Sequence, residues 1–304
     1  MFTDSTGKLR PIWAFWFALF LGTVAFFVSG NIAHEAAGNH PFRAEFVFRG
    51  LWSLLLVGIF IWLLTVGDHV EEHRIAAQGL PRAKGWLKQF LLGSVLGFLF
   101  TLLAVAPIYF WGHFRIKYLM TWHLVPNLGA LLLTLLCGTL AEELMFRGYP
   151  FQHLEKAIGT LRAVVLFSLF YGALHGLHRL NPHGNGWGVA NTVLIGILLT
   201  VAYLRTRALW LPWGIHLGWN TTLGLLLGLP VSGFRAFNLW IYTHAMGPNW
   251  LTGGSYGIEA SAPGTIAILI GLLVVWKLPL AKLPWPPRDS SSEPALHSLT
   301  GIKP

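Results

Sequence analysis

The stretch LGALLLTLLCGTLAEELMFR, residues 128–147, runs apolar from Leu128 to Leu140 and then sets two adjacent acids, Glu142 and Glu143, ahead of Arg147. Such a run is a helix buried in a large soluble core or a helix buried in lipid, and the rest of the chain decides between them. Of its 304 residues 54% are hydrophobic and only 11% charged, too little charge to cover the surface of a soluble domain of this size. A spanning helix needs about 20 mostly apolar residues. Eight segments approach that length: Pro11 to Val28, Phe46 to Val66, Trp86 to Phe110, Val125 to Ala157, Leu161 to Leu177, Trp187 to Leu204, Leu209 to Leu229 and Pro263 to Trp276. They predict an all-α fold, a polytopic membrane bundle of about eight transmembrane helices forming one domain over residues 1–284. The remaining residues, 285–304, include Asp289-Ser-Ser-Ser and read as a disordered cytoplasmic tail.

Basic residues orient the bundle, because Lys and Arg in short loops stay on the cytoplasmic side. With the N-terminus inside, only Arg43, Arg49, Arg115, Lys117, Arg179 and Arg235 fall outside, so both termini are expected in the cytoplasm. The balance of 21 Lys+Arg against 12 Asp+Glu is thereby explained by topology. It forms no aromatic-interleaved basic patch, and nucleic acid is not an expected partner. The only cysteine, Cys137, lies in an apolar run and offers neither a disulfide framework nor a thiolate metal motif. The first span follows Lys8 and Arg10 as a signal peptide would, but its apolar core is long and no small-x-small cleavage site follows, so it reads as an anchor. Gly79-Leu80-Pro81 marks a turn before the third span, and Trp240, Tyr242 and Trp250 suit an interfacial position in the long connection from Pro230 to Pro263.

Ionisable groups at membrane depth cost several kcal/mol and mark function by default. On a helix Glu143 and Arg147 are four apart with the acid first, the favoured order for an ion pair. Glu142 is turned about 100° away and lacks a partner on its own helix, which makes it the candidate reactive carboxylate. If the fourth helix continues to Ala157, bending at Pro150, the turn falls near Gly159-Thr160 and brings His175, in Tyr171-Gly-Ala-Leu-His175, to the depth of Glu142. His216 and Asn220 are four apart on the seventh span. Glycines flank both histidines, Gly172 and Gly176 in one helix, Gly214 and Gly218 in the other, a spacing that lets membrane helices approach closely and the histidines converge. A desolvated glutamate can serve as a general base, with imidazole and amide groups stabilising an oxyanion. The same Glu and His groups can instead hold a divalent metal with an activated water.

The series Glu-Glu-x-x-x-Arg, aromatic-x-x-x-His and His-x-x-x-Asn, in this order on hydrophobic helices, resembles the CAAX prenyl protease and bacteriocin-processing family of intramembrane endopeptidases. The resemblance covers roughly residues 79–271. It implies an endopeptidase of the bacterial plasma membrane acting on a membrane-associated peptide or protein. It also implies a water-activating base at Glu142 assisted by His175, an oxyanion hole or a completed metal site at His216 and Asn220, and a supporting pair, Glu143 and Arg147. A zinc-type site, if present, falls to Glu142, His175 and His216. Tyr171 stands where the family usually has Phe. A proton-coupled transporter using Glu142 and the histidines as a relay, or a non-catalytic scaffold or immunity protein, are the alternatives. Other polar clusters carry less. His34-Glu35 lacks the second histidine of a zinc-protease helix and is expected in an external loop, Glu71-Glu72-His73 falls in a charged loop, and His178 suits a loop or supporting role.

Overall fold

A computed structural model describes residues 2, 3, 5, 10–37, 41–67, 78–119, 125–177 and 186–282, except 236 and 239. The expected tail, the Glu71-Glu72-His73 cluster and His178 lie outside the described residues. Ten α-helices follow one another among them: α1 (Pro11–Ala37), α2 (Pro41–Gly67), α3 (Trp86–Trp111), α4 (Val125–Arg147), α5 (Tyr149–Ile158), α6 (Thr160–Leu177), α7 (Gly186–Thr206), α8 (Trp210–Asn220), the short α9 (Asn249–Thr252) and α10 (Ala262–Lys277). Four segments are long and apolar enough to cross a membrane: Pro11–Ala36, Trp86–Trp111, Leu128–Ile158 and Gly186–Thr206. Shorter apolar stretches lie at Val47–Phe60, Thr160–His175 and Ala262–Lys277. Large apolar side chains point outward along these helices, among them Phe20, Phe27, Leu91, Leu99, Leu161 and Leu273, while Glu143 and Arg147 are sealed inside. That inside-out distribution suits lipid as the solvent.

The closest helix contact is between α3 and α8. A Cβ on Gly93 would stand 2.3 Å from the Leu211 carbonyl oxygen, and one on Gly97 2.1 Å from that of Ile215. Reciprocally, a Cβ on Gly214 would meet the Phe90 carbonyl oxygen at 2.2 Å, and one on Gly218 that of Ser94 at 2.2 Å. Two G-x-x-x-G faces thus lock together at backbone contact, with the helices running in the same direction. The flanking glycines of His216 therefore serve α3, not the helix of His175. Gly172 instead packs against Val189 and Val193 of α7.

Three further departures from expectation have local causes. The fourth span is not one bent helix: α4 stops at Arg147, and α5 begins afresh at Tyr149 with Pro150 in its first turn. Proline is pre-organised for a helix start and lacks the N–H a continuous helix would need. A Cβ at the intervening Gly148 would press on the Leu144 carbonyl at 2.4 Å. His34 and Glu35 sit in the last turns of α1 rather than in a loop. The all-helical plan is interrupted by one antiparallel ribbon, β1 (His113–Tyr118) with β2 (Ile241–Met246), in which Arg115 faces His244.

On the opposite end of α8, the turn expected at Gly79-Leu80-Pro81 seats its N-terminus. Gly79 has φ of +99°, the Leu209 N–H donates to the Gly79 carbonyl at 2.7 Å, and the Trp210 indole donates to that of Pro81 at 2.8 Å. Toward the other end Glu259 is buried, its carboxylate accepting from the Trp219 indole at 3.1 Å and from the Ser232 N–H. Burial pushes the Glu259 carboxyl above its ordinary range, and these two donors oppose the shift.

The interlock predicts unequal tolerance to a single methyl group. Gly97→Ala should destabilise the protein in detergent by about 1–3 kcal/mol, the usual overpacking cost. Gly30→Ala, where nothing lies within 4 Å of the new carbon, should be neutral or slightly stabilising. Equal melting temperatures for the two variants would refute the tight α3–α8 contact.

Candidate active site

Glu142 and Glu143 end up in different surroundings because one helical step separates their directions. Glu143 is fully buried. Its Oε1 accepts from Arg147 Nη1 at 3.1 Å and lies 2.8 Å from His216 Nδ1. Arg147, also buried, spends its other donors on α7, with Nε to Thr200 Oγ1 at 3.4 Å and Nη2 to the Gly196 carbonyl at 3.2 Å. Its guanidinium lies 5.0 Å over the Tyr171 ring. The pair therefore does more than neutralise itself, since Glu143 fixes which nitrogen of His216 faces away. Oε2 of Glu143 has no hydrogen-bond partner among the described residues.

Glu142, with 14% of its side chain accessible, is the one of the two acids that water can reach. The Tyr171 hydroxyl donates to its Oε2 at 2.9 Å, and His216 Nε2 stands 3.7 Å from the same oxygen. Arg49 Nη1 approaches its other oxygen, Oε1, at 3.6 Å. Tyr171 thus serves both as a ring under Arg147, which Phe would also supply, and as a hydroxyl on Glu142, which Phe would not. His175 lies one turn on from Tyr171, with Nδ1 2.9 Å from the Tyr171 carbonyl oxygen, and is within electrostatic reach of Glu142. Asn220 is buried one turn beyond His216, where α8 widens into a π-helical turn, Thr221–Leu226. Such turns recur at functional sites. No hydrogen bond among the described residues joins Asn220 to either acid.

Sequence reasoning missed Arg49. It stands inside the second predicted span, an arginine at membrane depth, and that was its signal. Counting it among loop charges hid it. As a metal site the cluster fits poorly. Glu142, His175 and His216 do not close into a three-donor group, and no group of three His, Cys, Asp or Glu able to hold a metal ion occurs among the described residues. The two oxygens of Glu142 already face a guanidinium and a phenol.

Fold and site together define a polytopic helical membrane protein with a carboxylate and histidine cluster buried between its spans. Residues 123–222, from just before α4 to the first residues of the π-helical turn, match the family model Rce1-like, described as type II CAAX prenyl endopeptidase Rce1-like. That segment holds the three motifs, and over it the chain is similar to the CAAX protease family that the motifs resemble. No curated protein and no solved structure matches it.

The Glu143 network predicts a large penalty for unbalancing it. Arg147→Met leaves a carboxylate buried without its cation and should cost about 3–5 kcal/mol in detergent unfolding. Adding Glu143→Gln should recover a substantial part of that loss, and strictly additive effects of the two changes would refute the coupling.

Proposed function

We propose that this protein is an intramembrane endopeptidase that hydrolyses a peptide bond of a membrane-associated substrate with Glu142 as base. The observation that carries the reading is the contrast between the paired acids, one sealed against Arg147 and one open to water beside His216. The family model that residues 123–222 match, named for CAAX prenyl endopeptidases, supports the same class of reaction.

Water enters beside Glu142, which takes one of its protons as the oxygen attacks the peptide carbonyl. His216 keeps Nδ1 on Glu143 and presents Nε2 to the carbonyl oxygen, where an N–H would stabilise the negative charge that gathers there. Asn220, one turn further along α8, supplies an amide donor to the same oxygen. As the C–N bond breaks, Glu142 returns its proton to the leaving amine, with His175 close enough to assist the transfer. Eight spans with both termini cytoplasmic, and a catalytic core over residues 79–271, complete this reading.

Glu142→Gln keeps the shape but removes the base. It should lower cleavage of a membrane-tethered peptide by about 100- to 10,000-fold while leaving the thermal unfolding profile near that of the parent. Prenylated and unprenylated versions of the peptide should be compared, and wild-type cleavage by the variant would overturn the mechanism. Because the donors do not assemble around an ion, chelators should leave activity in place. Loss on dialysis against a chelator, restored by zinc alone, would show that the site rearranges to bind metal.

A further inference from the structure

Arg49 lies on α2, outside the matched segment, yet among the described residues it is the arginine that forms an ion pair with the proposed base. Its approach is built into the packing. Ser53, one turn along α2, donates its hydroxyl to the Cys137 carbonyl of α4 and ties the two helices at that level. The next residue, Gly138, is one helical turn before Glu142, and the Arg49 side chain lies across it. A Cβ on Gly138 would stand 2.4 Å from Arg49 Nη1 and 2.6 Å from Cδ. The guanidinium is further held over the Phe237 ring, 5.3 Å from its centroid.

The geometry at the carboxylate separates holding from blocking. At 3.6 Å Arg49 is too far for a direct hydrogen bond but close enough for strong attraction. A bidentate arginine clamp would occupy both oxygens and leave a poor base. Here Arg49 stands 3.6 Å from Oε1 while Tyr171 binds Oε2 at 2.9 Å, so the carboxylate is approached by one group from α2 and one from α6. Both partners of the Arg49 contact keep some accessibility, 12% and 14%, so the pair borders the space that water and substrate would enter.

We propose that Arg49 is a positioning residue for Glu142, so that α2 is a working part of the catalytic unit and not only packing around it. The inference rests on Glu142 being the base. Small displacements of a reacting group cost about 100-fold in rate, which sets the scale expected.

The test is steady-state cleavage of one membrane-tethered peptide by Arg49→Gln, Arg49→Lys, Gly138→Ala and the double variant Arg49→Gln/Gly138→Ala, beside Glu142→Gln. Arg49→Gln should lower kcat about 10- to 100-fold with KM within about twofold, the signature of a group that acts on the chemical step. Arg49→Lys should recover part of that loss. Gly138→Ala should lower kcat because its methyl displaces the guanidinium, and it should add little in the Arg49→Gln background. A folded Arg49→Gln or Gly138→Ala protein with wild-type kcat would overturn the inference, as would additive losses in the double variant. If Arg49→Gln does not fold, Gly138→Ala and Arg49→Lys carry the same decision. An active Glu142→Gln protein would instead remove the reading beneath it, whereas an inactive Glu142→Gln beside a fully active Arg49→Gln would fault Arg49 alone.

Discussion

The backbone contact between α3 and α8 is the constraint on which the rest of the structure turns. In lipid there is no hydrophobic force to press one apolar helix on another, and association relies on close packing and hydrogen bonds. Four glycines, Gly93 and Gly97 against Gly214 and Gly218, remove every atom that would hold the helices apart. Every residue of α8 is buried as a result. A helix gripped so tightly along one face, and seated at its N-terminus by Gly79 and Pro81, has little freedom to rotate. His216, two residues from each of these glycines in sequence, projects from the opposite face of α8, so its direction is set by the interlock behind it.

With His216 fixed, the buried charges fall into an ordered relation. Glu143 is held inside the bundle by Arg147 and His216, which both meet Oε1, and Arg147 is itself satisfied by Thr200 and Gly196 of α7. Removing water from a carboxylate is offset only by close partners of this kind, and here they all gather on one oxygen, Oε1. The cost of burying Glu143 therefore brings α4, α7 and α8 together at one point. Glu142 is spared that burial by a single helical step. Two acids adjacent in sequence acquire opposite surroundings, one closed by three helices and one opening toward α2 and α6.

Much of this could be read from residues alone, and the part that could not has a common cause. Helical period places Glu143 against Arg147 and turns Glu142 away, and the structure has that pair at 3.1 Å. The apolar segments, the Gly159 turn and the Gly79-Leu80-Pro81 seat are local features with local signals. Period shows which residues share a face but not which helix that face meets. Gly214 and Gly218 were legible as a contact surface while their partner, Gly93 and Gly97, was not. Arg49 was visible inside an apolar span, but its use depends on α2 passing over Gly138, a relation between residues 89 positions apart in the chain. The ribbon between β1 and β2 pairs segments far apart in the chain; β1, His-Phe-Arg-Ile-Lys-Tyr, alternates polar and apolar residues and carried a local strand signal, whereas β2, Ile-Tyr-Thr-His-Ala-Met, does not alternate. The break after Arg147 did have a local signal, Gly148 and Pro150 together, and the expectation of a continuous helix gave too much weight to the apolar run before it.

Tyr171 shows how a single departure from the family pattern acquires meaning only in three dimensions. Its ring lies beneath Arg147 at 5.0 Å, so it belongs to the sealed cluster around Glu143. Its hydroxyl reaches Glu142 Oε2 at 2.9 Å, so it belongs to the open one as well. Phenylalanine would keep the first relation and lose the second. The added donor takes one lone-pair position on Oε2, so a water or a metal approaching that oxygen would share it with a phenol. Under the proposed mechanism the water beside His216 would meet a carboxylate that a phenol already holds by one oxygen, an orientation that phenylalanine could not supply.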